Sequence, residues 1–99
     1  MVQIKWLSDA KTDLKEIFDY ISLVSKRYAR LQVEKIQQRT KTLKSHPRLG
    51  KTVDEINDPQ IKEIIEGNYR IIYRIVSENR IDILLIHHGA RDLKRRLIK

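Results

Sequence analysis

The chain of 99 residues has no cysteine and little glycine, proline or aromatic character. Without cysteine it has neither a disulfide framework nor a thiolate metal site, which suits a reducing cytoplasm. Three glycines and two prolines leave no flexible linker. No apolar run approaches the roughly 20 residues of a membrane span, and the first residues lack the apolar core of a secretory signal. We therefore expect one cytoplasmic domain over residues 1–99, without a membrane partner.

Positive charge is what the chain has in excess. Its formal net charge is +8, and the whole excess lies in residues 26–51, which hold nine basic side chains and one acidic residue, Glu34. A second basic cluster, RDLKRRLIK, closes the chain. Such a field attracts an anionic partner, either a nucleic acid or an acidic protein. The alternative is that the charge only keeps a helix face solvated.

The first half of the chain predicts a short strand and two helices. Residues 2–6 alternate between apolar and polar side chains, as a strand does. Ser8 predicts the N-cap of the first helix, with Asp9 and Asp13 near the positive end of its dipole. Ser25 predicts the second N-cap, and that helix should end before His46-Pro47. The two stripes at helical spacing are Ala10, Leu14, Ile17, Phe18, Ile21 and Val24, then Ala29, Val33, Ile36, Thr40 and Leu43.

The second half predicts an irregular segment and three strands. Residues 47–60 are rich in turn formers, and short polar turns then separate the strands. The helices, joined by only a few residues, form an antiparallel hairpin. The fold class is therefore α+β, β-α-α-β-β-β, with the helical hairpin packed on one face of a mostly antiparallel sheet. The predicted strands are Ile61–Glu66, Tyr69–Val76 and Arg80–His88.

Strict alternation of side chains sorts the last two strands into two faces. The more apolar face, with Tyr69, Ile71, Tyr73 and Ile75 from the first of them, is predicted to lie under the helices. His87 is predicted at the rim of this core as a packing residue. Burying an unpaired guanidinium is costly, so the arginine face is predicted to be uncovered. That face carries Arg70, Arg74, Asp82 and His88.

The segments HPRLGKTVDEI, GNYRIIYRI and HHGAR, with this element order, resemble the RelE/ParE superfamily of toxins from bacterial type II toxin–antitoxin modules. The resemblance covers nearly the whole chain and is closer to the ParE branch. It implies a plasmid-stabilisation toxin that is neutralised by a cognate antitoxin and reaches operator DNA only through that antitoxin. The ParE branch implies growth inhibition by binding DNA gyrase, with no catalytic chemistry, cofactor or metal.

The RelE branch supplies the alternative, a ribosome-dependent endoribonuclease that cuts mRNA. Such cleavage needs a base for the 2′-hydroxyl, a cation for the phosphorane charge and an acid for the leaving oxygen. The resemblance places Glu55, Arg70 and His88 in these roles. The structural alternative is that Arg70 pairs with a carboxylate such as Glu55 or Glu63 and pins the loop to the sheet. Lys62 is the only lysine in the three strands, and no tyrosine follows His88, so we favour the non-enzymatic ParE role.

Arginines of the basic segments and of the open face are the candidate contacts to antitoxin or target. Direct DNA binding has charge in its favour, since phosphate contacts need only cations, but no recognition-helix motif is present. Residues 92–99 are predicted to serve toxicity rather than the fold, because they are too charged for a core. The candidate contacts are Arg27, Arg30, Arg39, Arg74, Arg91, Arg95 and Arg96.

Overall fold

The computed structural model describes residues 2–97, so the last two residues of the charged tail lie outside the described part. A five-stranded sheet in the order β1-β5-β4-β3-β2 has β1 parallel to β5 and all other pairs antiparallel. This architecture confirms the predicted α+β class. The elements are β1 Gln3–Trp6, α1 Ser8–Ser22, α2 Lys26–Lys41, a 3₁₀ turn Thr42–Lys44, β2 Lys51–Thr52, β3 Ile61–Glu66, β4 Tyr69–Ser77, β5 Arg80–His88 and α3 Leu93–Leu97.

The two helices of the hairpin begin differently. The Ser25 hydroxyl accepts the N–H of Tyr28 at 3.2 Å, which confirms the predicted cap of α2. The predicted cap at Ser8 is wrong, because α1 already begins at Ser8 and Leu7 precedes it without a side-chain cap. Leu7 still donates its N–H to Ile83 of β5, so the chain turns directly from sheet into helix.

The principal core lies between the helical hairpin and the sheet. Its Tyr73 is fully buried, and the hydroxyl donates to the carbonyl of Pro47 and accepts the N–H of Gly50, both at 2.9 Å. These bonds fix the segment that leads into β2, a two-residue edge strand inside the segment predicted to be irregular. The buried members are Ala10, Ile36, Leu43, Ile64, Ile71, Tyr73, Ile81, Ile83 and Ile86.

A second, smaller core covers much of the opposite face of the sheet. Val53, Ile61, Ile72 and Leu93 are buried there, so the loop after β2 and the helix α3 both pack on this face. The prediction of an uncovered face is therefore wrong. The prediction that the C-terminal tail stays out of the core is also wrong at Leu93, because the apolar side chains on the arginine face need a cover.

A β-bulge in β5 changes which side chains share a face. Ile72 pairs with Leu85 while Tyr73 pairs with Ile83, so Leu84 has no partner opposite it. The extra residue reverses the alternation beyond it. His87 now lies opposite Arg70, and the prediction that His88 shares the face of Arg70 is wrong.

Candidate functional site

Arg70 joins two carboxylates from different elements. Its Nε and Nη2 donate to Glu63 of β3 at 2.9 and 2.7 Å. Its Nη1 and Nη2 donate to Glu55, in the loop after β2, at 2.8 and 2.9 Å. Four of the five guanidinium N–H groups can be satisfied in this way. We call Glu55, Glu63 and Arg70 the Arg70 cluster; it fastens the loop to the sheet.

Hydrogen bonding within the Arg70 cluster shifts the pKa values of Glu55 and Arg70. The hydrogen bonds from Arg70 hold the pKa of Glu55 at about 2, below its ordinary value of 4.5. The hydrogen bonds that Arg70 donates to Glu55 and, with a smaller effect, to Glu63 stabilise its charged form and raise its pKa. A carboxylate with so low a pKa is a weak proton acceptor, because an efficient general base has a pKa near the working pH.

His88 lies on the helix side of the sheet. Its ring stands edge-on to that of Tyr69, which packs against the principal core, with centroids 5.4 Å apart. Its Nδ1 accepts the N–H of Ala90 at 3.2 Å. His87 occupies the face of Arg70 and is buried, with Nε2 lying 3.2 Å from the carbonyl oxygen of Arg91. The structure thus brings Glu55 and Arg70 together and separates His88 from both.

A groove between α1 and α3 collects three of the predicted contact arginines. Arg96 donates to both carboxylate oxygens of Asp13 at 2.6 Å, and one of these oxygens also accepts the N–H of Ile86 at 2.9 Å. Because β1 pairs only with the first half of β5, Asp13 caps the part of that strand left open. We call this the α3 groove; Asp9, Thr12, Asp13, Glu16, His87, Arg91, Asp92, Arg95 and Arg96 line it.

The other predicted contact arginines lie elsewhere. Arg27 and Arg30 are exposed on α2. Arg39 is half-buried and donates Nε to the carbonyl of Ile65 at 3.2 Å, which ties α2 to β3. Arg74 is exposed on β4, opposite Asp82, but that carboxylate binds Arg80 instead. The seven arginines therefore occupy several separate places rather than one surface.

An apolar groove runs along the outer side of the helical hairpin. We call it the hairpin groove; it lies between α1 and α2 next to the end of β1. At the turn between the helices, Leu23 and Val24 are 83% and 91% exposed, so the apolar surface extends beyond the groove. The lining residues are Trp6, Lys11, Leu14, Lys15, Phe18, Asp19, Val33 and Gln37.

Comparison with known proteins gives the family. The family described as "ParE toxin of type II toxin-antitoxin system, parDE" matches residues 4–93. The chain belongs to the ParE toxin family. Toxin ParE1 of Mycobacterium tuberculosis, from strains CDC 1551 / Oshkosh and ATCC 25618 / H37Rv, is 28% identical over 95 residues, covering 89% of this chain and 90% of the relative.

A solved structure shares the fold of this ParE-family toxin. It is described as "Chromosomal ParDE TA system from P. aeruginosa" and superimposes with a TM-score of 0.72 at 24% sequence identity. The match covers 89% of this chain and 96% of that chain. Because the identity is low, this likeness bears on the fold, and it agrees with the α+β arrangement derived above.

Asp13 has a structural role in this ParE-family toxin that its sequence position did not indicate. Its place near the start of α1 predicts an interaction with the helix dipole, yet it is buried against β5 and paired with Arg96. The available signal was its position three residues after Ala10, on the apolar stripe of α1, since a carboxylate there must find a partner. Residues 2–97 contain no helix able to cross a membrane and no cluster of side chains suited to a metal ion.

Proposed function

We propose that this toxin of a type II toxin–antitoxin system inhibits DNA gyrase by protein binding in the bacterial cytoplasm. We also propose that a cognate antitoxin neutralises it. The observation that carries the proposal is the state of Arg70, whose donors are occupied by Glu55 and Glu63. This pairing supports a toxin that acts through binding surfaces rather than through Arg70 as a catalytic cation.

Several features of Glu55, Arg70 and His88, the candidate nuclease residues, favour a binding role over RNA cleavage. Four of the five N–H donors of Arg70 are already bound to carboxylates. A phosphorane would have to share the guanidinium with them or displace one, and separating a paired charge in a partly buried site is costly. Glu55, with a pKa of about 2, is poorly suited to accept the proton of a 2′-hydroxyl. His88 faces the other side of the sheet from Arg70, so the three side chains do not converge on one site.

The hairpin groove is the surface we propose for the antitoxin. Trp6, Leu14, Phe18 and Val33 offer apolar anchors between two helices, the arrangement that accepts an amphipathic or extended segment. Lys11 at its edge, and Lys15 beside its partner Asp19, offer cations to an acidic segment. A disordered antitoxin tail would fold on this surface as it binds.

The α3 groove is the surface we propose for the gyrase contact. Arg91 and Arg95 are exposed there beside the anchored Arg96. Arginine is enriched among the residues that dominate protein–protein binding energy, because its planar donor fork makes several hydrogen bonds at once. Reversing Arg95 to glutamate should weaken gyrase inhibition about tenfold or more, whereas Arg74→Glu, an equal charge change on another face, should leave it near the wild-type value.

Two assays on the purified toxin test the proposal against the nuclease alternative. In a supercoiling assay we expect gyrase to stall and to leave cleaved DNA complexes. In a translating extract, primer extension should show ribosome-bound mRNA intact. Cleaved mRNA with active gyrase would overturn the proposal and support the endoribonuclease.

The antitoxin half of the proposal has its own test. The product of the neighbouring gene should co-purify with the toxin and abolish gyrase inhibition. Phe18→Glu, in the hairpin groove, should lower the affinity of that complex at least tenfold. Tyr20→Glu, a change on an exposed residue of the same helix outside the groove, serves as the control. Equal effects of the two changes would contradict the assignment of the groove.

A further inference from the structure

One flank of α2, beside the hairpin groove, carries cations that form no salt bridge within residues 2–97. Lys26, Arg30 and Lys41 are exposed and, because a helix turns once in 3.6 residues, their spacing of four and eleven aligns them along one side. Gln37 lies on the same line and Lys44 extends it in the following turn. We call Lys26, Arg30, Gln37, Lys41 and Lys44 the α2 stripe.

Like several other exposed cations, those of the α2 stripe form no salt bridge in the described residues. In residues 2–97 the salt bridges join Lys15 to Asp19, Arg70 to Glu55 and Glu63, Arg80 to Asp82, and Arg96 to Asp13, and none includes a cation of α2. Five of the 13 acidic residues are engaged in these bridges, and all five lie outside α2. Glu34, the one acid of the helix, lies four residues after Arg30 and lines a groove with Gln37, Lys41 and Lys44. It offsets one of the four stripe cations, so the stripe keeps a net positive charge.

We propose that the α2 stripe binds the phosphate backbone of duplex DNA without sequence preference. From Lys26 to Lys41 the helix rises about 22 Å at roughly 1.5 Å per residue. A duplex of that length carries about a dozen phosphate charges, and each cation that reaches one releases condensed counterions. This contact is separate from operator recognition, which we assign to the antitoxin.

The side chains of the α2 stripe favour a nucleic acid over an acidic protein. All five stripe residues are polar or charged, whereas a peptide-binding surface needs apolar anchors. Phosphate contacts need only cations and hydrogen-bond donors, which lysine, arginine and glutamine supply. The apolar surface of the hairpin lies in the hairpin groove, which the α2 stripe meets at Gln37.

The same composition favours a duplex over a single strand. Proteins that bind single strands stack bases on aromatic side chains. Tyr28 is the one aromatic residue of α2, and it lies about half a turn from the line of Lys26 and Arg30. Trp6 lines a groove with Gln37, Lys41 and Lys44 but is only partly exposed. The α2 stripe therefore offers charge with little stacking surface, which matches a regular backbone.

Fluorescence anisotropy with the full chain and a labelled 24-base-pair DNA of mixed sequence tests this inference. The logarithm of the association constant should fall with the logarithm of salt concentration, with a slope of about −3 to −4 for three or four contacts. A second duplex of unrelated sequence should bind equally. A slope shallower than −1, or no binding at 50 mM salt, would overturn the inference without any variant having to fold.

Matched variants separate the α2 stripe from net charge. The triple change Lys26→Gln, Arg30→Gln and Lys41→Gln should reduce the salt slope by about 2 to 3, about one unit per contact, and lower affinity at least tenfold. The control triple Lys5→Gln, Lys51→Gln and Arg74→Gln removes the same charge from exposed positions outside α2. Equal loss in both triples would overturn the inference, and Arg30→Gln alone repeats the test if a triple fails to fold.

Competitors of other chemistry complete the test. A single strand, a duplex RNA and poly-glutamate, each at matched charge, should displace the DNA less effectively than unlabelled duplex DNA. If poly-glutamate competes as well as DNA, the stripe is an acceptor for acidic protein and the inference fails. Tighter binding of either RNA duplex or single strand also overturns it.

Discussion

Arg70 shows how a single residue can determine whether a site does chemistry or holds the fold. Its guanidinium is shared by a loop carboxylate and a strand carboxylate, and its side chain is only 15% exposed. A charge bound on both sides in this way stabilises the folded chain, because removing it would leave two carboxylates close together without compensation.

Replacement of Arg70 by alanine should therefore lower the free energy of unfolding by about 3 kcal/mol, because it leaves a buried pair broken. Urea denaturation measures this, with Arg74→Ala, an exposed residue of the same strand, as the control expected to change little. Arg70→Lys should restore only part of the loss, since an ammonium cannot bind both carboxylates bidentately. If stability were unchanged and toxicity lost, Arg70 would have a functional role instead.

The low pKa of Glu55 predicts how the stability of the folded chain depends on pH. Since the folded-state pKa of about 2 lies below the ordinary 4.5, the stabilisation is fully present above pH 4.5 and is lost as pH falls toward 2. Glu55→Gln should thus be less stable than the wild type at pH 7, with the difference shrinking toward pH 2. Urea midpoints at pH 7, 4, 3 and 2 measure it; a difference independent of pH would contradict the assignment.

The segment that leads into β2 packs its backbone closely against β3 and Tyr73 at Gly50. A Cβ on Gly50 would lie 2.6 Å from the carbonyl oxygen of Glu63 and 2.7 Å from the hydroxyl of Tyr73. Backbone cannot yield as a flexible side chain can, so Gly50→Ala should cost about 1–3 kcal/mol of unfolding free energy. Thermal unfolding measures this, and Gly89→Ala, whose nearest contact is 3.3 Å, should cost less.

Helix α3 contributes a buried side chain to the second core as well as exposed side chains to the surface. Leu93 is 1% exposed in the second core, whereas Leu97 is 39% exposed. Leu93→Ala should therefore destabilise the chain by about 3 kcal/mol through the cavity it leaves, and Leu97→Ala by well under 1 kcal/mol. Chemical denaturation of the pair distinguishes the two, and equal effects would contradict the packing of α3.

The bulge at Leu84 explains why sequence reasoning located the elements better than their faces. Helix stripes, polar turns and apolar runs placed the helical hairpin and the last three strands, since these signals are local. The face of His88 required strict alternation through β5, and one unpaired residue reversed it. An apolar run such as Ile83 to Ile86 carries no mark of which residue is the extra one.

For the whole molecule, the basic excess was readable from the sequence, but its distribution between paired and free cations was not. Arg70, Arg80 and Arg96 are joined to carboxylates from distant or neighbouring positions, and such pairs arise only when the chain is folded. The Arg70–Glu55 pair was foreseen as a structural alternative, whereas the Arg96–Asp13 pair, 83 positions apart, gave no sequence signal linking its two ends.

The parallel pairing of β1 with β5 has a consequence for synthesis. The earliest strand to leave the ribosome has no neighbour in the sheet until nearly the last has been made, and Asp13 waits equally long for Ile86 and Arg96. A chain that ends before β5 therefore lacks both the pairing of β1 with β5 and the α3 groove. If toxicity depends on the α3 groove, as we propose, a frameshift before β5 should abolish growth inhibition as fully as an early one.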